Sequence, residues 1–167
     1  MTTNSENTHS IGFPLADVHA ALSSHEYWEY EAKNIGDEPG EVRSFTGGPN
    51  VKAELAEKLP IDAVPESFRA MVPAALELTR TVTLGPVEGG RATGTVNAEV
   101  SGLPVKFNAD LVLQDADGAT TLNAKSAVDV KIPMMGSMLE PKIMEWVEQF
   151  IAHESSQIGR ASCRERV

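Results

Sequence analysis

The sequence predicts an α+β fold in which a curved antiparallel sheet of about seven strands wraps around one long C-terminal helix. From Glu77 to Ile132, apolar and polar residues alternate between turn-forming stretches, which is typical of antiparallel strands with one buried face. From Met138 to about Gln157, apolar residues recur every three or four positions, as in a helix with one buried side. A sheet that is apolar on one side must be covered, and this helix is the one long apolar element available.

The first half of the chain predicts shorter elements. A weak alternation near Thr8 to Phe13 predicts an edge strand, and two short helices are predicted from Leu15 to Leu22 and from His25 to about Ala32. Two further strands are predicted, Glu41 to Thr46 and Val51 to Leu59, joined by a glycine- and proline-containing loop. Prolines then bracket a predicted short helix from Glu66 to Val72.

Four meandering strands follow, separated by turns at Gly85 to Gly90, Ser101 to Pro104 and Asp115 to Gly118. Their alternation predicts one core-facing side: Leu78, Arg80, Val82 and Leu84; Ala92, Gly94, Val96, Ala98 and Val100; Val105, Phe107, Ala109, Leu111 and Leu113; Leu122, Ala124, Ser126, Val128 and Val130. Ser137 and Glu140 are spaced as in a capping box and predict the start of the last helix.

Composition excludes several classes of function. The formal net charge is −10, and the basic residues are scattered among acids, so a nucleic-acid-binding surface is not expected. No stretch is long and apolar enough to span a membrane, and no leader is visible. The four histidines show no metal-ligand spacing, and no phosphate-binding glycine loop or nucleophile elbow occurs. We therefore expect a cytoplasmic protein without a metal or other cofactor.

The order of the predicted elements resembles the START-like (SRPBCC, helix-grip) superfamily, which includes polyketide cyclases, aromatases, lipid-transfer domains and birch-pollen-type allergens. The chain also resembles, more narrowly, an actinobacterial family of START-like proteins of unknown function. Three stretches carry that resemblance: Val18-His19-Ala20-Ala21-Leu22 with Tyr27-Trp28, Arg91-Ala92-Thr93-Gly94-Thr95-Val96, and Val130-Lys131-Ile132-Pro133-Met134-Met135-Gly136. The resemblance implies a cavity between sheet and helix, and it supplies no catalytic residues.

The last ten residues break the apolar pattern of the final helix. The stretch 158–167, which contains the single cysteine Cys163, resembles a sequencing adapter translated at the end of a gene fragment. We therefore expect residues 1–157 to form one START-like helix-grip domain and residues 158–167 to be a non-native tail that contributes little to stability.

Arg80 is the sharpest candidate for a functional residue, because the alternation turns its charge toward the core. An unpaired charge there would cost several kcal/mol. Glu57 falls on the inward register of the strand Val51 to Leu59, so the two could form a structural ion pair. Alternatively, Arg80 could turn outward at a bulge, or it could anchor the anionic head group of a ligand.

The other candidates for a ligand-binding wall are apolar or aromatic, and each is also compatible with ordinary core packing. Aromatic residues on short amphipathic helices usually belong to the core, whereas methionines near the last helix suit an adaptable pocket wall as well as irregular packing. These candidates are Tyr27, Trp28, Phe107, Met135, Met138 and Trp146.

The function predicted from these observations is the binding of a small apolar or amphipathic molecule between sheet and last helix, without catalysis. Dense helix-on-sheet packing is the competing explanation of the small core-face residues, and the two explanations are compatible if they apply at different ends of the interface. An enzyme of the cyclase or hydrolase type would need a titratable group with a shifted pKa in the cavity and a hydrogen-bonding partner. A protein-partner-binding module would show a filled interior and an outer apolar patch.

Overall fold

A computed structural model of the chain describes residues 2–34, 39–59, 66–71, 76–101, 104–131 and 136–165. A strand and two helices come first, six strands follow, and a long helix closes the chain. The elements are β1 (Thr2–Ile11), α1 (Leu15–Leu22), α2 (His25–Asn34), β2 (Glu41–Thr46), β3 (Val51–Leu59), a short 3-10 helix (Glu66–Met71), β4 (Leu76–Leu84), β5 (Arg91–Val100), β6 (Val105–Ala116), β7 (Ala119–Val130) and α3 (Gly136–Glu165).

The seven strands form one antiparallel sheet in the order β1-β7-β6-β5-β4-β3-β2. Each strand from β2 to β6 pairs with the next strand along the chain, and β1 pairs with β7 over its whole length. The predicted α+β class and helix-grip architecture are confirmed.

The last helix packs on the inner face of the sheet, as the one-sided alternation predicts. A cluster of buried side chains joins β6 and β7 to α3: Val105, Ala124, Val128 and Val130 meet Leu139, Met144, Val147 and Ile151. A second cluster joins α1 and α2 to the other half of the sheet and to Ile11. Sheet and helices therefore enclose a shared interior.

None of the described helices is long and apolar enough to cross a membrane.

The predicted register of the central strands is confirmed. Arg80 is paired with Leu55 of β3 and with Ala98 of β5, and all three side chains are buried. Gly94 belongs to the core-facing residues of β5, but its lack of a side chain has a local cause. A Cβ at this position would collide with the carbonyl oxygen of Thr83 on β4, so the close approach of β4 requires glycine there.

The first strand is longer than the predicted segment from Thr8 to Phe13. It runs from Thr2 to Ile11, and its inward residues are mostly polar. Their partners lie on α3, where Glu140 accepts a hydrogen bond from Thr3 (3.0 Å) and Glu148 accepts one from Ser5 (2.5 Å). A polar inner face leaves no apolar alternation to detect, and the sequence pattern therefore missed most of this strand.

The predicted capping box at the start of α3 is wrong. The helix already begins at Gly136, so Ser137 lies within it. The Glu140 side chain, only 1% exposed, accepts hydrogen bonds from Thr3 Oγ1 (3.0 Å) and from the backbone N–H of Val130 (3.1 Å). The carboxylate thus joins the helix to β1 and β7 instead of closing its own first turn.

The last helix also extends beyond the predicted end near Gln157, to Glu165. Ile158 is 5% exposed and belongs to the buried cluster that contains Ile11 and Leu15. Ser162 is buried and donates a hydrogen bond to the carbonyl of Ile158. The segment expected to be a non-native tail therefore packs against the domain as far as it is described.

Candidate functional site: an apolar cavity with a buried charge cluster

The interior contains a cavity between the inner face of the sheet and α3, with a volume of about 150 Å³. Two of its described lining residues, Arg80 and Glu154, are charged, and most of the others are apolar. The apolar wall is formed mainly by β4, β5, β6 and α3, and includes Leu78, Val82, Val96, Ala98, Val100, Val105, Phe107, Ala109, Leu111, Ile143, Val147, Phe150 and Ile151.

The size of the cavity limits what it could hold. Sites for drug-sized ligands usually measure about 300–1,000 Å³. An engineered apolar cavity of about 150 Å³ in another protein stays dry and binds benzene or xenon. The present cavity therefore suits one small apolar molecule, of about the size of a single ring. Two of the small core-face residues, Ala98 and Ala109, line this space. At these positions the structure therefore has a cavity and not dense helix-on-sheet packing.

At one side of the cavity, the Arg80 guanidinium is held by two carboxylates. Its Nη2 donates to Oε1 of Glu57 at 2.6 Å, and its Nη1 donates to Oε1 of Glu154 at 2.8 Å. Arg80 is 2% exposed and Glu57 is fully buried. The predicted inward register of both residues is correct, and the ion pair is the structural arrangement that the sequence allowed as one alternative.

Two aromatic rings also pack near the guanidinium. The Arg80 Cζ atom lies 5.1 Å from the ring centre of Phe150 and 5.9 Å from that of Trp28. Both distances are within the range of cation–π attraction. Trp28 is fixed in turn by a hydrogen bond of 2.8 Å from its Nε1 to the carbonyl of Leu22.

The electrostatics of this cluster are dominated by burial. Burial alone would lower the pKa of Arg80, but the Glu154 and Glu57 carboxylates outweigh it and hold that pKa above its usual value. Burial raises the pKa of Glu57 above its ordinary 4.5, and the charge of Arg80 opposes this rise. Arg80 therefore stays charged, and the two carboxylates offset that charge.

The charges of this cluster also affect the pKa values of two groups on α2, Glu31 and Tyr27. Burial, with a further contribution from the Glu154 carboxylate, raises the pKa of Glu31 from 4.5 to about 8. Burial, and then the charges of Glu154 and Glu31, raise the pKa of Tyr27 well above 10.0. The Tyr27 hydroxyl is buried without a hydrogen-bonding partner among the described residues. Neither Glu31 nor Tyr27 lines the cavity.

The predicted site residues are only partly brought together. Arg80, Trp28 and Phe107 line the cavity, and Glu57 lies behind Arg80 as its ion-pair partner. Tyr27 is buried edge-on against Trp28, with 4.9 Å between ring centres, outside the cavity wall. Met138 is 63% exposed and does not line the cavity, because it lies on the outer side of the first turn of α3.

Two predicted residues cannot be placed in the site. Met135 lies outside the described residues, and for Trp146 only the backbone, within α3, is described. Their assignment to a ligand-binding wall stays a prediction. In the described part of the chain, no group of three or more His, Cys, Asp or Glu side chains is arranged to hold a metal ion.

The sequence interpretation did not place Glu31 or Glu154 in the site, and it gave Glu140 only a role in the capping box of α3. Glu31 and Glu140 are buried, and Glu154 is 17% exposed. For Glu154 a signal was present: it follows Phe150 by four positions and Val147 by seven, so it lies on the apolar stripe of α3. An acid on an apolar stripe, with an inward-facing arginine predicted on the facing sheet, indicates an ion pair.

Comparison with solved structures shows the same fold. The similar structures include a protein from Thermus thermophilus (10% identity, TM-score 0.64, 97% of this chain and 98% of that one). They also include a START superfamily protein from Mycobacterium smegmatis (12%, 0.56, 94% and 97%). A third is a point mutant of norcoclaurine synthase from Thalictrum flavum, in complex with a transition-state analogue (13%, 0.58, 100% and 98%). At these identities the likeness concerns the fold alone.

Comparisons of sequence give a narrower result. The model of a family described as "Protein of unknown function (DUF2505)" matches residues 6–160. The comparison with curated proteins gives no match.

Proposed function

Since the chain belongs to the DUF2505 family of proteins of unknown function, we propose its function from its cavity: it binds a small apolar or amphipathic molecule between sheet and α3, without catalysis. The observation that carries this proposal is an apolar cavity of about 150 Å³ between the sheet and α3. Cavities of this size cost stability, so an occupant would offset that cost.

The charge cluster supports a binding module because it marks one side of an otherwise apolar space. A buried ion pair is often no more stabilising than apolar residues of similar volume, so stability alone is a weak reason for Arg80 and Glu154 on the cavity wall. A polar group at one position of an apolar pocket fixes the orientation of a ligand.

The two other functions that the sequence allowed fit less well. A partner-binding module was expected to have a filled interior, whereas this interior contains a cavity. The enzyme alternative would use a titratable group in the cavity whose shifted pKa lets it exchange a proton. Arg80 lines the cavity, but its raised pKa keeps it charged. The acids and the phenol with raised pKa values, Glu31, Glu57 and Tyr27, are not among the lining residues. Some of the proteins with similar structures are enzymes, so catalysis is the second candidate function. A cytoplasmic location stays a prediction.

A titration with toluene tests the proposal. We expect toluene to shift the NMR signals of methyl groups that line the cavity, such as those of Val96, Leu111 and Val147, in a saturable manner. Ala109→Leu adds three carbon atoms to the wall and should abolish the saturable shifts. Ala127→Leu, on the outer face of the neighbouring strand β7, should leave them intact. Toluene shifts that are absent, or that Ala109→Leu leaves unchanged, would refute binding in this cavity.

A further inference from the structure

The contacts that Arg80 already makes within the protein limit which ligand groups the polar side of the cavity could bind. Both terminal nitrogens of the guanidinium donate to carboxylates, Nη2 to Glu57 and Nη1 to Glu154. The rings of Trp28 and Phe150 pack within 6 Å of its central carbon. Because Arg80 is only 2% exposed, little of it is available to a ligand. Its Nε has no hydrogen-bonding partner among the described residues, but that nitrogen is buried and two carboxylates already offset the charge, so an anionic head group would gain little here.

Glu154 is the charged group that offers an open position. It lines the cavity and is 17% exposed, and its Oε1 holds Arg80. Among the described residues, no hydrogen bond reaches its Oε2. A carboxylate oxygen is only an acceptor when ionised. Because Glu154 lines the cavity, a ligand that complements this carboxylate would bring a hydrogen-bond donor.

The charge balance favours a cationic donor over a neutral one. The cluster places two carboxyl groups, those of Glu57 and Glu154, around the single guanidinium of Arg80, so acidic groups outnumber basic ones. Glu31 is nearby, and its raised pKa of about 8 keeps it neutral at pH 7; each further acid that ionises makes the region more negative. The neighbouring rings of Trp28 and Phe150 would also favour a cation.

We propose that the cavity selects small apolar amines, with the ammonium group of the ligand donating to the Glu154 carboxylate and its apolar body filling the space between sheet and α3. This inference rests on the proposed function, because it names the class of molecule that the same cavity takes. It also replaces the anion-anchoring alternative for Arg80, since the guanidinium is already matched by two carboxylates.

Four probes with one ring and different polar ends test the inference: toluene, benzyl alcohol, benzylamine and benzoate. We expect benzylamine to bind at least about tenfold more tightly than toluene at pH 7, because a hydrogen bond to a charged partner is worth at least that factor. Benzyl alcohol should lie between the two, and benzoate should show no saturable binding. Dissociation constants from NMR titrations of the full chain give the order.

Substitution of Glu154 tests whether this residue causes the preference for benzylamine over toluene. Glu154→Gln keeps the shape of the side chain and removes its charge, so the ratio of the benzylamine and toluene affinities should fall to about one. Glu145→Gln changes the same charge at an exposed position of the same helix and should retain the preference. The probe series on the unaltered chain decides the matter even where the Glu154 variant fails to fold.

The outcomes separate this inference from the proposed function. Saturable toluene binding without tighter benzylamine binding, or with benzoate as the strongest probe, overturns the amine preference and leaves the apolar cavity as a binding site. A benzylamine preference that persists in Glu154→Gln overturns the assignment to Glu154. If none of the four probes binds, both proposals are overturned.

Discussion

Arg80 on β4 and Glu57 on β3 form a buried ion pair on the inner face of the sheet, with 2.6 Å between Nη2 and Oε1. The two residues are diagonal neighbours, because Arg80 is opposite Leu55 and Glu57 is opposite Leu78. Diagonal neighbours on one face are within reach of long side chains. The strand register therefore brings these two charges together, and α3 adds Glu154 from the facing side.

Arg80→Met should destabilise the protein by about 3–5 kcal/mol, because it leaves the Glu57 carboxylate buried without its partner. Adding Glu57→Gln to this variant should restore part of the loss, since the stranded charge is then removed. The restoration is expected to be incomplete because Glu154 also loses its partner. Urea unfolding of the two single variants and the double variant measures these free energies.

The matched control for this cycle is Arg91→Met, which removes the same charge from an exposed position of β5 and should change stability by less than about 0.5 kcal/mol. An Arg80→Met variant as stable as this control would contradict the structural role of the pair.

The stability of the domain should fall as the pH rises from about 5 to 8. The Glu31 pKa is about 8 in the folded chain against an ordinary 4.5, so in this interval the folded state holds a proton that the unfolded state has released. By linkage, this contribution is fully present below the ordinary pKa and is lost as the pH rises through the folded pKa. The raised pKa of Glu57 acts in the same direction.

The loss should amount to a few kcal/mol, measured by urea unfolding at a series of pH values. Glu31→Gln should flatten the profile. Glu29→Gln, on the same helix with a side chain that is 40% exposed, should preserve it. Equal slopes in the two variants would show that Glu31 is not the group responsible.

Glu140→Ala should cost about 1–3 kcal/mol, because it leaves the backbone N–H of Val130 buried without an acceptor. The amide of Val130 should also exchange faster with solvent, which hydrogen exchange measures residue by residue. Glu145→Ala, at an exposed position of α3, is the control. If the two variants lose the same stability, the link between α3 and β7 is of no energetic importance.

A chain that ends at Gln157 should be less stable than the full chain, by about 1.5–3 kcal/mol, since it loses the buried Ile158 side chain. A chain that ends at Ser162 keeps this contact and should stay close to the full chain. This expectation replaces the sequence-based one, in which the tail contributed little. Identical unfolding midpoints for the three chains would restore the earlier view. The resemblance of residues 158–167 to a translated adapter stays a prediction either way.

The sequence predicted the sheet and the placement of its side chains because alternation records which face is buried. The inward positions of Arg80, Glu57 and Phe107 follow from that pattern alone. The partner that α3 supplies to Arg80 could not be read in the same way. Glu154 is 74 residues from Arg80, and their meeting depends on how α3 is rotated above the sheet, which helix periodicity leaves open.

The polar contacts between β1 and α3 were not predicted from the sequence, for a different reason. Thr3 and Ser5 face the interior, yet they pair with Glu140 and Glu148, so both sides of the contact look like solvent-exposed sequence. Periodicity detects apolar burial only. Polar groups that satisfy each other inside a fold become visible when their partners are placed in space.

Diffraction from a crystal held under xenon gas tests directly whether the cavity can hold a ligand, because xenon enters apolar cavities of this size without needing any polar contact. We expect one ordered xenon site between α3 and the sheet, close to Ala109, Leu111 and Val147, and its loss in Ala109→Leu. A fully occupied interior with no xenon between sheet and helix would contradict the existence of a binding cavity.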